Sequence, residues 1–133
     1  MARLDRIIFS VGMFSVFEAL LQNSLNCKNG FIEAKKILEQ AGETQLLSQF
    51  QDLELATNAL KHGRGRSYDT LIAKNGGSVA SKIKLPDEYF FDEGDVSEVS
   101  TLIYVDDTFI FYCVDIISQV SESIKRVRPE VIL

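Results

Sequence analysis

The chain is poor in the residues that build metal centres and disulfide scaffolds. It has two cysteines and one histidine in 133 residues. Cys27 and Cys113 lie far apart in apolar helical stretches, and with His62 they form none of the spacings that hold zinc. Unpaired thiols in such settings are expected to be buried and to suit a reducing, cytoplasmic compartment. Basic residues are also in deficit, 14 against 19 acids, for a formal charge of −5. A protein that coats nucleic acid through bulk charge has the opposite balance, so any nucleic-acid contact is expected to be local.

Long apolar runs are missing too. Behind Met1–Arg6 the apolar stretch is interrupted by Ser10, Gly12, Ser15 and Glu18, and no small-residue cleavage site follows. Neither a signal peptide nor a membrane span is expected. No Gly-Lys-Ser/Thr closes a glycine-rich stretch, which excludes a P-loop. Asp92, Gly94 and Asp95 do not stand in EF-hand order, which removes the one calcium candidate. No metal or cofactor is expected.

What is present is helical periodicity. Ile7, Val11, Phe14, Glu18, Leu21 and Leu25 step by threes and fours over about 4–25, and Phe9, Met13, Val16, Phe17 and Leu20 add a second apolar face. A helix apolar on most sides is expected at the centre of its bundle. A second helix over 31–40 turns Phe31, Ala34, Ile37, Leu38 and Ala41 inward and stops at Gly42. Thr44 is expected to cap a third helix reaching His62, with Leu46, Phe50, Leu53, Thr57 and Leu60 as its stripe and Gly63 and Gly65 as its stop. Ser67 is placed as the cap of a short helix to Ala73, ended by Asn75-Gly76-Gly77. Residues 74–106 lack a helical period and read as a long irregular segment or a small β-hairpin, with Val79, Ser81, Ile83 and Leu85 alternating on one side and Thr101, Ile103 and Val105 on the other. Asp107 is expected to cap the last helix, whose stripe is Ile110, Cys113, Ile117, Val120, Ile124 and Val127. Pro129 forbids its continuation. No repeat or second domain is visible, so residues 1–133 are read as one all-α, up-and-down helical bundle.

The run Asn58-Ala59-Leu60-Lys61-His62-Gly63-Arg64-Gly65-Arg66-Ser67-Tyr68 gathers the candidate chemistry. Histidine titrates near neutral pH and moves protons. Arg64 and Arg66, spaced by glycine, can grip phosphate, and Lys61, Ser67 and Tyr68 flank them as candidate ligand-binding residues. Asn58 and His62 are four apart and share a helical face with Leu47, Gln51 and Leu55. Glu18 falls in a core stripe and is expected to be buried and paired with a cation or donor.

The end of the third helix, Leu55-Ala56-Thr57-Asn58-Ala59-Leu60-Lys61-His62, together with the acid amid apolar residues in Phe14-Ser15-Val16-Phe17-Glu18-Ala19-Leu20-Leu21, resembles the HEPN superfamily (higher eukaryotes and prokaryotes nucleotide-binding). That resemblance implies a helical bundle pairing as a homodimer. It implies either an RNA-, nucleotide- or protein-binding module of a bacterial defence or toxin–antitoxin system, or a metal-independent endoribonuclease. In such an enzyme His62 would carry the proton, with Asn58 at the motif's polar position and Glu18 in support. The motif's arginine position holds Thr57, which favours a binding module over an enzyme. A helical bundle serving interaction alone is the third reading. The leucines Leu47 and Leu55, beside Asn58 and His62, mark the expected dimer face.

Overall fold

A computed structural model describes residues 3–84 and 102–133. Among them are five α-helices: α1 (Arg3–Ser24), α2 (Gly30–Gln40), α3 (Thr44–His62), α4 (Arg66–Ala73) and α5 (Asp107–Val127), with a 3₁₀ helix over Gly77–Lys82. The fold is all-α. No described helix is long and apolar enough to cross a membrane.

The three long helices alternate in direction. Arg6 near the start of α1 pairs with Asp107 at the start of α5 at 3.3 Å, and the Ser24 hydroxyl at the end of α1 donates to the carbonyl of Ile132 beyond α5. These two helices run the same way. Glu43, just before α3, pairs with Arg126 near the end of α5 at 3.3 Å, so α3 runs opposite. Helix α2 packs against all three. Its entry is fixed by Asn29, whose side chain accepts from the Ile32 amide at 3.1 Å. A Cβ on Gly30 would lie 2.7 Å from the Glu18 carbonyl, so only glycine lets α2 approach α1 this closely.

The centre of the bundle is α3, not α1. Helix α3 packs on α1, α2, α4, α5 and the 3₁₀ helix. Its expected stripe of Leu46, Phe50, Leu53, Thr57 and Leu60 is buried throughout, and Asp52, Ala56 and Ala59 are buried as well. Four rings, Phe14, Phe17, Phe31 and Phe50, knit the first three helices, the closest pair (Phe31 and Phe50) edge to face at 5.2 Å between centroids. Helix α1 buries Ile7, Phe14, Phe17 and Leu21, with Leu25 just past its end, but leaves Leu4, Ile8, Phe9, Val16 and Leu20 in solvent. Overall hydrophobicity suggested a central helix. The packing uses only one side of it.

Several ends shift from their expected positions. Helix α3 begins after Glu43 without a side-chain cap, and Thr44 is its first residue. Gly65, not Ser67, precedes α4, and Ser67 sits in its first turn. Asp106, one residue before the expected Asp107, caps α5 by accepting from the Phe109 amide at 2.9 Å. Ala41 is exposed rather than inward. In α5 the buried face is rotated toward Phe109 and Ile116, leaving Val127 exposed and Ile117 partly so. The expected glycine stops hold: Gly42 and Gly63 take φ of +76° and +73°, and Asn75, Gly76 and Gly77 form three successive left-handed residues at the end of α4.

Part of the expected irregular segment lies among the described residues. Residues 77–82 coil into the 3₁₀ helix, then Ile83 and Ile103 form one antiparallel bridge, with the Lys84 amide donating to Leu102 and the Tyr104 amide to Lys82. The rest of that expected segment, 85–101 with its acidic cluster, lies outside the described residues.

Candidate functional site

Two polar clusters flank α3. The first is a small cleft between α1 and α3, of about 170 Å³. Ser15 and Glu18 of α1 line one wall, and Glu54, Thr57, Asn58 and Lys61 of α3 the other. Phe14 and Phe31 lie at its apolar base. The i, i+3, i+4 and i+7 spacing of Glu54, Thr57, Asn58 and Lys61 places all four on one side of α3. The volume is below the usual 300–1,000 Å³ of drug-sized ligand sites and admits one small polar group.

Glu18 is half-buried in this cleft, not sealed in the core, and it makes no ion pair or side-chain hydrogen bond among the described residues. The expectation of a buried, paired Glu18 is corrected here: residue 18 falls at the rim of the α1 stripe, where its carboxylate reaches the cleft. Across from it, Glu54 accepts from Lys35 Nζ at 2.6 Å. Thr57 is buried and its hydroxyl donates back to the carbonyls of Leu53 and Glu54 at 3.0 and 3.1 Å. The Thr57 side chain is thus committed to its own helix.

The sequence-predicted residues divide three ways. Glu18, Asn58 and Lys61 meet in the cleft. His62, Arg64 and Arg66 are exposed at the end of α3 and the turn into α4, with Ser67 half-buried beside them. Tyr68 points into the core, where its hydroxyl donates to the Lys84 carbonyl at 2.6 Å. It serves the fold and presents no surface to a ligand. Asn58 and His62, though four apart, have different surroundings: Asn58 lines the cleft and His62, the last helical residue, stands in solvent. Leu47 and Leu55 pack against the core. Their presence on that side of α3 therefore no longer argues for a dimer face there.

The second cluster escaped the sequence reading. Asp52 is 2% exposed. Its Oδ1 accepts from Lys74 Nζ at 2.6 Å and its Oδ2 from the Ser78 amide at 2.9 Å. Gly77, at φ +53°, passes so close that a Cβ there would meet the Asp52 carboxylate. The ring of Tyr112 closes this side. Burial pushes its phenol pKa up, and its hydroxyl has no well-aligned hydrogen bond among the described residues although Ser78 and Gln49 flank it. The signal for this cluster was the row of small residues Ala56, Ala59 and Gly63 on the Asp52 side of α3, which lets α4 and the 3₁₀ helix come close.

Neither thiol is in a disulfide. Cys113 is fully buried, which pushes its pKa up to about 12, while Cys27 lies just past α1 and is only partly covered. No family model matches the chain, and no curated protein or solved structure matches it either.

Proposed function

We propose that this chain is a binding module for single-stranded RNA or a nucleotide. The cleft takes a base edge, and the turn after α3 takes the phosphate. The observation that carries this reading is the position of Lys61. Lys61 lines the polar cleft and stands exposed in the last turn of α3, three residues before Arg64 and five before Arg66 along the chain. A carboxylate and an amide, Glu18 and Asn58, offer an acceptor and a donor–acceptor pair of the kind that reads an unpaired base edge. The two acids of the cleft repel phosphate, so the charged end of a ligand belongs on the turn side. The resemblance to HEPN proteins, carried by Asn58, His62 and Glu18, supports the same class of ligand, within a defence or toxin–antitoxin setting.

The test is fluorescence anisotropy of a labelled single-stranded RNA with the full chain across a salt series. Binding is expected to weaken as salt rises, because local phosphate contacts release counterions. Lys61→Ala and Arg66→Ala should each weaken it about tenfold, the value of roughly 1.4 kcal/mol. Absence of binding at low salt, or binding indifferent to both changes, defeats the proposal. Metal-independent cutting that leaves 2′,3′-cyclic phosphate ends, and is lost in His62→Ala, would replace it with the ribonuclease reading, His62 then being the proton carrier.

A further inference from the structure

Helix α1 carries a row at intervals of four, Leu4, Ile8, Gly12, Val16 and Leu20, whose four large side chains are exposed and whose central Gly12 is partly so. Leu4, Ile8 and Val16 are 64%, 61% and 60% exposed and Leu20 is 45% exposed, with Phe9 beside them at 48%. The row borders an open apolar groove of about 550 Å³ whose far wall is Ile117 and Ser121 of α5. Three features identify what covers it.

The row is symmetric about Gly12. Large apolar residues stand four and eight positions away on both sides. An antiparallel copy of α1 crossing at Gly12 would set Ile8 against Val16 and Leu4 against Leu20, twice over. An isologous pair with a two-fold axis requires this kind of self-complementarity.

Gly12 has no use within its own fold. A Cβ there would meet nothing within 4 Å, and glycine in the middle of a helix is unfavourable. A second helix backbone approaching at that point would give the glycine a purpose.

The row also lacks charge. No charged residue lies between Arg6 and Glu18, and Glu18 faces the polar cleft instead. A basic or acidic partner would find nothing to pair with. A membrane-surface helix needs a cluster of cations for anionic lipid; here only Arg3 and Arg6 flank the row at its start, with Asp5 between them, and the chain is net acidic. The exposed apolar side chains amount to on the order of 500 Å², the size of the largest apolar patch on a typical monomer, and such patches often mark interaction sites. Two copies together reach about 1,000 Å², the lower bound for a specific interface and the range of weak association.

From these features we infer that α1 is the homodimer interface, packed antiparallel on its own copy with the two-fold axis at Gly12. This places the dimer on a different helix from the Leu47/Leu55 side of α3, and it stands whatever ligand the cleft binds.

The experiment is sedimentation equilibrium of the full chain between about 1 and 50 µM, a range that detects micromolar association. A dimer is expected. Ile8→Glu and Val16→Glu should each raise its dissociation constant at least 100-fold, with helical content by circular dichroism unchanged. Phe111→Glu, at an exposed apolar position of α5 (69% exposed), should leave it intact. The register is read by oxidative cross-linking in a Cys27→Ser background: Ile8→Cys mixed with Val16→Cys should give a heterodimeric disulfide faster than either alone. A monomer at 50 µM, a dimer indifferent to Ile8→Glu, preferential self-linking of Ile8→Cys, or pelleting with phosphatidylglycerol vesicles in place of dimerisation would each overturn the inference.

Discussion

Asp52 and Glu18 both sit on inner sides of long helices, and the bundle treats them in opposite ways. Asp52 is sealed, and its two oxygens are held by Lys74 and the Ser78 amide. Around it, α3, the end of α4 and the 3₁₀ helix become one unit. Glu18 is half-open and has no such partner among the described residues. A buried carboxylate must be satisfied by the fold, because an unpaired one costs more than the fold can spare. One at a cleft is left to water or to a ligand. The comparison teaches which acid belongs to architecture and which is available for recognition.

The sharpest way to break the comparison is to remove Asp52. Asp52→Ala should cost about 3 kcal/mol, since it strands the Ser78 amide and empties a buried site. In a domain of this size that lowers the melting temperature by roughly 10 °C, measured by thermal circular dichroism. A loss below about 1 kcal/mol would mean that the cluster is not an anchor. Gly77→Ala should follow at about 2 kcal/mol, because the new Cβ meets the Asp52 carboxylate and a left-handed φ strains alanine. The two changes should be less than additive, as they disturb one contact.

Glu18→Gln tests the opposite arm. It should change stability by less than about 0.5 kcal/mol, as surface substitutions do, yet alter RNA affinity in the anisotropy assay. A large loss of stability would place Glu18 with Asp52.

The thiols repeat the contrast between sealed and reachable. Iodoacetamide on the native protein at pH 8 should modify Cys27 and spare Cys113, whose thiolate is suppressed by burial with a pKa of about 12. Mass spectrometry giving two adducts without denaturant would contradict the burial.

The smallest expected effect lies at Asp106. The hydrogen bond from Lys82 holds its carboxyl below the ordinary 3.8, opposed in part by desolvation. A depressed folded pKa contributes stability above the unfolded value, and that contribution fades as pH falls below 3.8 toward the folded one. Asp106→Asn should therefore lower stability slightly at pH 7 and flatten its decline in acid. The pair is about half solvent-exposed on the Asp106 side, so screening keeps the effect small.

Periodicity and turn chemistry determined much of this protein on their own. The α3 stripe, the glycine stops at Gly42, Gly63 and Gly76, and the all-α class follow from a period of 3.6 and from backbone angles that only glycine or asparagine adopts readily. The shared face expected for Asn58 and His62 from the same period divides, because Asn58 lines the cleft while His62 ends the helix in solvent. Caps were off by one residue at Thr44 and Asp107 and by two at Ser67: Asp106 takes the amide that Asp107 was expected to take, and at the starts of α3 and α4 no side chain caps the helix, so the approach of the chain sets where it begins. Tertiary structure alone decided the rest. Hydropathy marked α1 as central, but which of its two apolar faces finds a partner depends on where α2, α3 and α5 dock. Tyr68 read as a ligand residue until its hydroxyl met the Lys84 carbonyl, sixteen positions away. Asp52 and Glu18 are the same kind of residue in similar apolar surroundings of sequence. Only the distant residues Lys74, Gly77 and Ser78 satisfy one of them and leave the other at the cleft, because the free energy of a buried charge depends on the groups that enclose it.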